Sequence, residues 1–143
     1  MPRHDPPSNV FFRIEVDGIA SAGFSQALLG ASTVGVIEYR EGTDLGIRKV
    51  PGLTRYGNVT LKRGITQSLE LFQWFQQAVQ GQFPAVRRNV AVILLDSSFN
   101  EVARFVIHNA WPTKYEVGAL DATGHDIAIE TLELTHEGLE RVQ

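Results

Sequence analysis

The 143-residue chain contains no cysteine and a single methionine. The missing thiols exclude a disulfide framework and any thiolate metal site. Long hydrophobic runs are also missing. None approaches the roughly 18–20 apolar residues that a membrane-spanning helix needs. The opening segment MPRHDPPSNV holds three prolines and no apolar h-region, so no secretory signal is expected there and residues 1–9 are expected to form an extended arm. Motifs for chemistry are equally scarce. There is no G-x-G-x-x-G, Walker, H-E-x-x-H or G-x-S-x-G pattern. The four histidines, His4, His108, His125 and His136, have no metal-site spacing and read as surface or strand-end residues. Asp121 and Asp126 sit in a glycine-flanked turn, where a loop explains them better than a carboxylate pair. No catalytic residue, metal or cofactor is assigned.

What is present is a globular composition: 43% hydrophobic and 20% charged residues, with a net charge of −3. The length fits one domain, taken as residues 10–143, able to bury roughly 70% of its unfolded surface. Charge is distributed unevenly. Arg40, Arg48, Lys49, Arg55, Lys62 and Arg63 crowd residues 40–64, against Glu41 and Asp44. From 116 to the end, Glu116, Asp121, Asp126, Glu130, Glu133, Glu137 and Glu140 face only Arg141. The asymmetry suggests two complementary patches. Nucleic-acid binding by the basic stretch is disfavoured by the acidic balance of the whole chain.

Period-2 patterning dominates. VFFRIEV puts Val10, Phe12, Ile14 and Val16 on one face, and Asp17-Gly18 follows as a hairpin turn into a second strand at about 19–27. A third strand is expected at about 32–41 and a fourth at NVTLKR, separated by a long loop, 42–57. Loops of that length in compact domains are usually functional or disordered. The helix signal is TQSLELFQWFQQAVQG, residues 66–81, with the helix expected over 67–80. Leu71, Phe72, Phe75, Ala78 and Val79 form its apolar stripe, Trp74 lies near the edge, Thr66 is the N-cap and Gly81 the stop. Residues 90–95 are apolar on both faces, as in a strand covered from both sides. EVARFVIHNAW returns as its partner, broken or edged by Pro112. TKYEVG and DIAIETLELTHE form a last pair, with a parity switch that predicts a bulge near Glu130–Leu132. The sum is a mainly β protein, an antiparallel β-sandwich or barrel of about 7–8 strands with one flanking α-helix.

VIEYREG, IRKVPGLTRYGNVTLKRG, ELFQWF, RRNVAVILLD, EVARFVIHNAWPTKYE and IAIETLELTHEGL occur in that order. Together they resemble the tail-tube proteins of contractile phages, and especially the inner-tube subunits of phage-tail-like contractile injection systems. The resemblance runs from about Phe11 to Val142. It implies hexameric rings whose strands join into one barrel around a lumen, stacked into a tube that a sheath drives through a target envelope. It implies as partners further copies of the chain, a sheath protein, baseplate or hub and terminator proteins, and a protein or DNA payload. Assembly would take place in a bacterial cytoplasm, with release by lysis, and the monomer would not insert in membranes. On this reading the 42–57 loop reaches a neighbouring subunit. Arg40, Glu41, Asp44, Arg48, Lys49, Arg55 and Tyr56 on one side, and Glu137 and Glu140 on the other, are the expected ring-stacking residues. Ser21, Gly23, Ser25, Ser32, Val34, Val36 and Glu38 are the candidates for the lumen. The nearly uncharged SQALLGASTVGV suits a neutral channel and a protein payload. Alternatives in the same physical class are a ring-forming secretion-system tube protein and a tube-initiator paralogue. A monomeric β-barrel that binds a small ligand is the alternative of another class, and it requires a deep enclosed pocket.

Overall fold

The computed structural model describes residues 11–19, 23–124 and 127–143. It contains strands β1 (Phe11–Val16), β2 (Gln26–Leu28), β3 (Ser32–Tyr39), β4 (Arg48–Tyr56) and β5 (Val59–Gly64), then helix α1 (Glu70–Val79). Strands β6 (Arg88–Leu95), β7 (Glu101–Val117), β8 (Ile129–Thr135) and β9 (Gly138–Arg141) follow. The main sheet is antiparallel, in the order β1-β6-β7-β8-β5-β2, with β9 also on β7.

The 17-residue β7 organises this sheet. Its first half pairs with β6 and β9, its second half with β8. The turning point is Asn109, at φ +54°, beside a register shift in β6 between Arg88 and Val90. Asparagine tolerates the left-handed region because its short polar side chain bonds locally. Here the Asn109 backbone N–H donates to Asn89 Oδ1 and its side-chain amide donates to Glu137. The bend splits the sheet into two layers, one built on β1-β6-β7-β9 and the other on β7-β8-β5-β2. Pro112 does not break the strand. A second register shift between Pro112 and Lys114 absorbs it, and beyond Ala110 β7 pairs only with β8 among the described residues. A proline there forfeits no ladder bond on the open side.

Between the layers lies the core: Ile14, Val16, Leu61, Val90, Val92, Ile107, Leu132 and Leu134, capped by Leu71 and Trp74 of α1. Trp74 is 1% exposed and its indole N–H donates to the Val86 carbonyl at 2.7 Å, so it is the centre of the buried stripe rather than its edge. Val79, expected in that stripe, is exposed. Phe72 and Phe75 turn instead toward the Tyr115 ring of β7. The helix also starts later than expected, with Leu69 as N-cap; Thr66 Oγ1 accepts from the Ser68 N–H in the preceding turn. Gly81, at φ +70°, follows the last turn as expected.

Three further expectations are corrected. Asp17-Gly18 makes a tight turn that closes with a Val16–Ile19 bridge, but among the described residues the second strand is Gln26–Leu28 and pairs with β5, not β1. No bulge interrupts β8, which runs in regular register along β5 from Val59↔Leu134 to Gly64↔Ile129. The parity switch arises because Glu130, not Ile129, faces inward, at 4% exposure. Most consequential, residues 48–56 are not loop. They form β4, which pairs with β3 along its length.

Candidate assembly interface

β2 and β5 continue, past a kink, into β3 and β4. The kink is made by backbone contact: a Cβ on Gly30, at φ +72°, would sit 2.6 Å from the Asn58 carbonyl oxygen. Only glycine fits such an approach. The Gly57 N–H closes the root on the Ala31 carbonyl at 2.7 Å. His136, from the β8–β9 turn, holds it to the body. Its Nε2 lies 3.1 Å from the Gly57 carbonyl while Nδ1 accepts from the Gly138 N–H, and its ring lies against Tyr56. The Asn58 amide donates to Glu133 at 2.8 Å.

Beyond the root, β3 and β4 pair with each other and with no other strand among the described residues. The eight residues of β3 reach roughly 26 Å at about 3.3 Å per residue. Every residue of β3 is exposed, including Val34, Val36, Ile37 and Tyr39; across from them Val50 and Leu53 of β4 are exposed as well. Isolated two-stranded hairpins are marginal in water, because neither face is covered. A β-arm with apolar residues on both faces is a surface that expects a partner.

The expected interface residues fall in three places. Arg40, Glu41, Asp44, Arg48 and Lys49 gather at the tip of the arm, Arg55 and Tyr56 lie toward its root, and Glu137 and Glu140 lie in or beside β9 on the body. The tip is structured. The Asp44 carboxylate accepts from the Glu41 N–H at 3.1 Å and takes a two-pronged contact from Arg48 at 2.7 and 3.0 Å. The Arg48 guanidinium, then the Glu41 amide, hold the Asp44 carboxyl below its usual pKa. Among the lumen candidates, Ser32, Val34, Val36 and Glu38 lie on β3 of the arm, whose register against β4 shifts between Val34 and Val36. Gly23 and Ser25 belong to the body, where Ser25 bonds the Lys62 carbonyl. Ser21 lies outside the described residues.

Sequence patterning missed two sets of residues. The first is Arg63 with Glu130. In the sequence both read as surface charges, yet Arg63 is 1% exposed and its Nε donates to Glu130 Oε1 inside the sheet. Tyr115 donates to the other Glu130 oxygen at 2.6 Å, and Phe24 lies 5.7 Å from the guanidinium carbon. Burial first, then the bond to Glu130, pushes the Tyr115 phenol up to about 12. The second set is the outer face of β2-β5-β8-β7, where register aligns Gln26–Lys62–Thr131–Glu116 and Leu28–Thr60–Glu133–Lys114. Strict alternation was the available signal, but which strands adjoin is not written locally.

Among the described residues there is no cluster of three or more His, Asp or Glu placed to hold a metal. No helix among them is long and apolar enough to cross a membrane.

The fold recurs in solved structures. The chain superposes at TM-score 0.82 and 25% identity on a chain of the PVC extracellular contractile injection system sheath–tube complex in the extended state, covering 95% of this chain and 90% of that one. A chain of the anti-feeding prophage tube-terminating cap matches at TM-score 0.83 and 22% identity, over 99% and 93%. Hcp1 from Flavobacterium johnsoniae matches at 0.59 and 16%, over 92% and 94%. No curated protein matches the chain. The fold is therefore that of the tube proteins of contractile machines, a structural class. Residues 8–140 match the family of the T4-like virus tail tube protein gp19, and the chain belongs to it. It is a structural component of a phage tail or tail-like particle.

Proposed function

We propose that copies of this chain close into hexameric rings, which stack into the rigid inner tube of a contractile injection machine. A sheath protein surrounds that tube, baseplate or hub and terminator proteins bound it, and its lumen carries the payload. The chain itself performs no catalysis. The observation that carries this reading is the β3–β4 arm. It is a hairpin with exposed apolar side chains, uncovered among the described residues and clamped to the body at Gly30, Gly57 and His136. The sheet supplies the complementary feature: among the described residues, β2 and the second half of β7 each present an unpaired edge at opposite sides of the β2-β5-β8-β7 layer. Copies placed edge to edge would continue that layer around a ring and cover the edges that otherwise invite uncontrolled pairing.

In such a ring the outer face of this layer is a better lumen wall than the arm. It carries Lys62 and Lys114 against Glu116 and Glu133, so its charges balance. A balanced wall supports the reading of a protein payload over nucleic acid. Assembly would proceed in the cytoplasm of the producing bacterium, with release by lysis.

Negative-stain microscopy of the purified protein is expected to show six-fold rings and stacks of rings. Reversing Arg48 and Lys49 to Glu should abolish stacking while circular dichroism reports an unchanged fold. A wild-type chain that stays a folded monomer at every concentration would overturn the proposal.

A further inference from the structure

Among the described residues, β1 and β2 are the two ends of the strand order, and they do not pair with each other. The mouth left near them opens into a cleft of about 360 Å³, lined by Phe12, Ala27, Leu29, Val92, Leu94 and Phe105, with the polar but uncharged Ser25 and Gln26 beside them. None of these residues is ionisable.

The arm tip offers a matching feature. Leu45 is fully exposed, at 105%, and Ile47 is 61% exposed. Their position is fixed by the Asp44 carboxylate, which ties the Glu41 amide and the Arg48 guanidinium on either side of them. Two consequences follow. A preorganised anchor loses little conformational entropy on docking. The charges flanking the apolar residues already neutralise one another, so an uncharged cleft can receive the tip without burying an unpaired ion. An exposed Leu-Gly-Ile tip is otherwise a solubility liability.

We propose that the Leu45–Ile47 tip of one copy seats in the β1/β2 cleft of a second copy. The inference rests on the reading that copies of the chain assemble, and it names the receptor for the arm. The contact is heterologous, tip to cleft, so it repeats from copy to copy instead of closing a dimer.

The absence of cysteine gives a clean test. One preparation carries Leu45→Cys and another Leu29→Cys. They are mixed, assembled, and treated with a short thiol-to-thiol bis-maleimide. Linked dimers are expected in the mixture, and a ladder of higher oligomers is expected from the double variant. Ser25→Cys, exposed beside the cleft, serves the same pairing if Leu29→Cys fails to fold. Leu45→Asp should raise the concentration needed for assembly by roughly ten-fold or more, the factor associated with burying one leucine side chain. Rings and tubes that form without tip-to-cleft linkage would overturn the docking and leave the tube reading intact. Neither assembly nor linkage would overturn both. A Leu29→Cys thiol shielded from maleimide in the dilute monomer would give the cleft to the chain's own residues, and this also overturns the proposal.

Discussion

Arg63 and Glu130 occupy neighbouring strands, directly opposite in register, with both side chains inside the sandwich. Two buried charges are tolerable only when paired and further bonded, which the Tyr115 hydroxyl helps to achieve at 2.6 Å. Removing one partner strands the other. Glu130→Ala should cost about 3–5 kcal/mol, read as a lower midpoint in urea denaturation. Replacing both members by apolar residues of similar volume should cost much less, and a double variant as unstable as the single one would count against this account. Tyr115 adds a pH signature. Its folded pKa, about 12, lies above the ordinary 10 of the unfolded chain. The folded state therefore holds a proton that the unfolded state releases between those values. The stabilisation is whole below pH 10 and is lost as pH rises toward 12. Tyr115→Phe should flatten that alkaline decline in thermal melts. Trp74 makes a simpler case: Trp74→Ala empties the helix–sheet contact and should cost about 3–5 kcal/mol.

At the scale of elements, the hairpin root matters more than either strand. Gly30 has both a positive φ and no room for a Cβ, so Gly30→Ala must displace the Asn58 backbone or turn the arm. Gly30 and Asn58 are themselves outside the core cluster, though next to its Val59, so the body should melt within a few degrees of wild type while ring stacking fails. Equal losses of melting temperature and assembly would mean that the root belongs to the folding unit instead. The turn that links β3 to β4 also explains why the 42–57 segment reads as loop. Its glycines, proline and charges are concentrated where exposed strands tolerate them, and β4 keeps no inward face to generate alternation. A strand without a core partner leaves little hydrophobic pattern in its sequence.

For the whole molecule, the basic tip and the acidic β9 region lie on separate parts of one chain. In the proposed assembly, Arg40, Arg48 and Lys49 of one copy would meet Glu137 and Glu140 of a neighbour. Each exposed pair is worth only about 0–1 kcal/mol, but a ring repeats it at every subunit. Raising ionic strength from about 0.05 to 0.5 M should therefore shorten tubes, measured by light scattering or microscopy, because screening lengths fall below the spacing of exposed charges. Tube length indifferent to salt would assign stacking to apolar contacts such as the tip and cleft alone.

The sequence by itself determined the class of fold. Period-2 alternation marked most of the body strands, the doubly apolar 90–95 segment marked a strand buried or half-buried along its length, and one apolar stripe marked the only helix among the described residues. These signals are local, since each records how a short segment meets water and core. Tertiary structure decided what depends on neighbours distant in sequence. It sent the second strand to β5 instead of β1, turned Glu130 inward to meet Arg63, and carried β7 unbroken through Pro112 by placing its open side where no N–H was needed. It also made an arm of a presumed loop, because pairing between β3 and β4 satisfies their backbones without any pattern of burial to announce it.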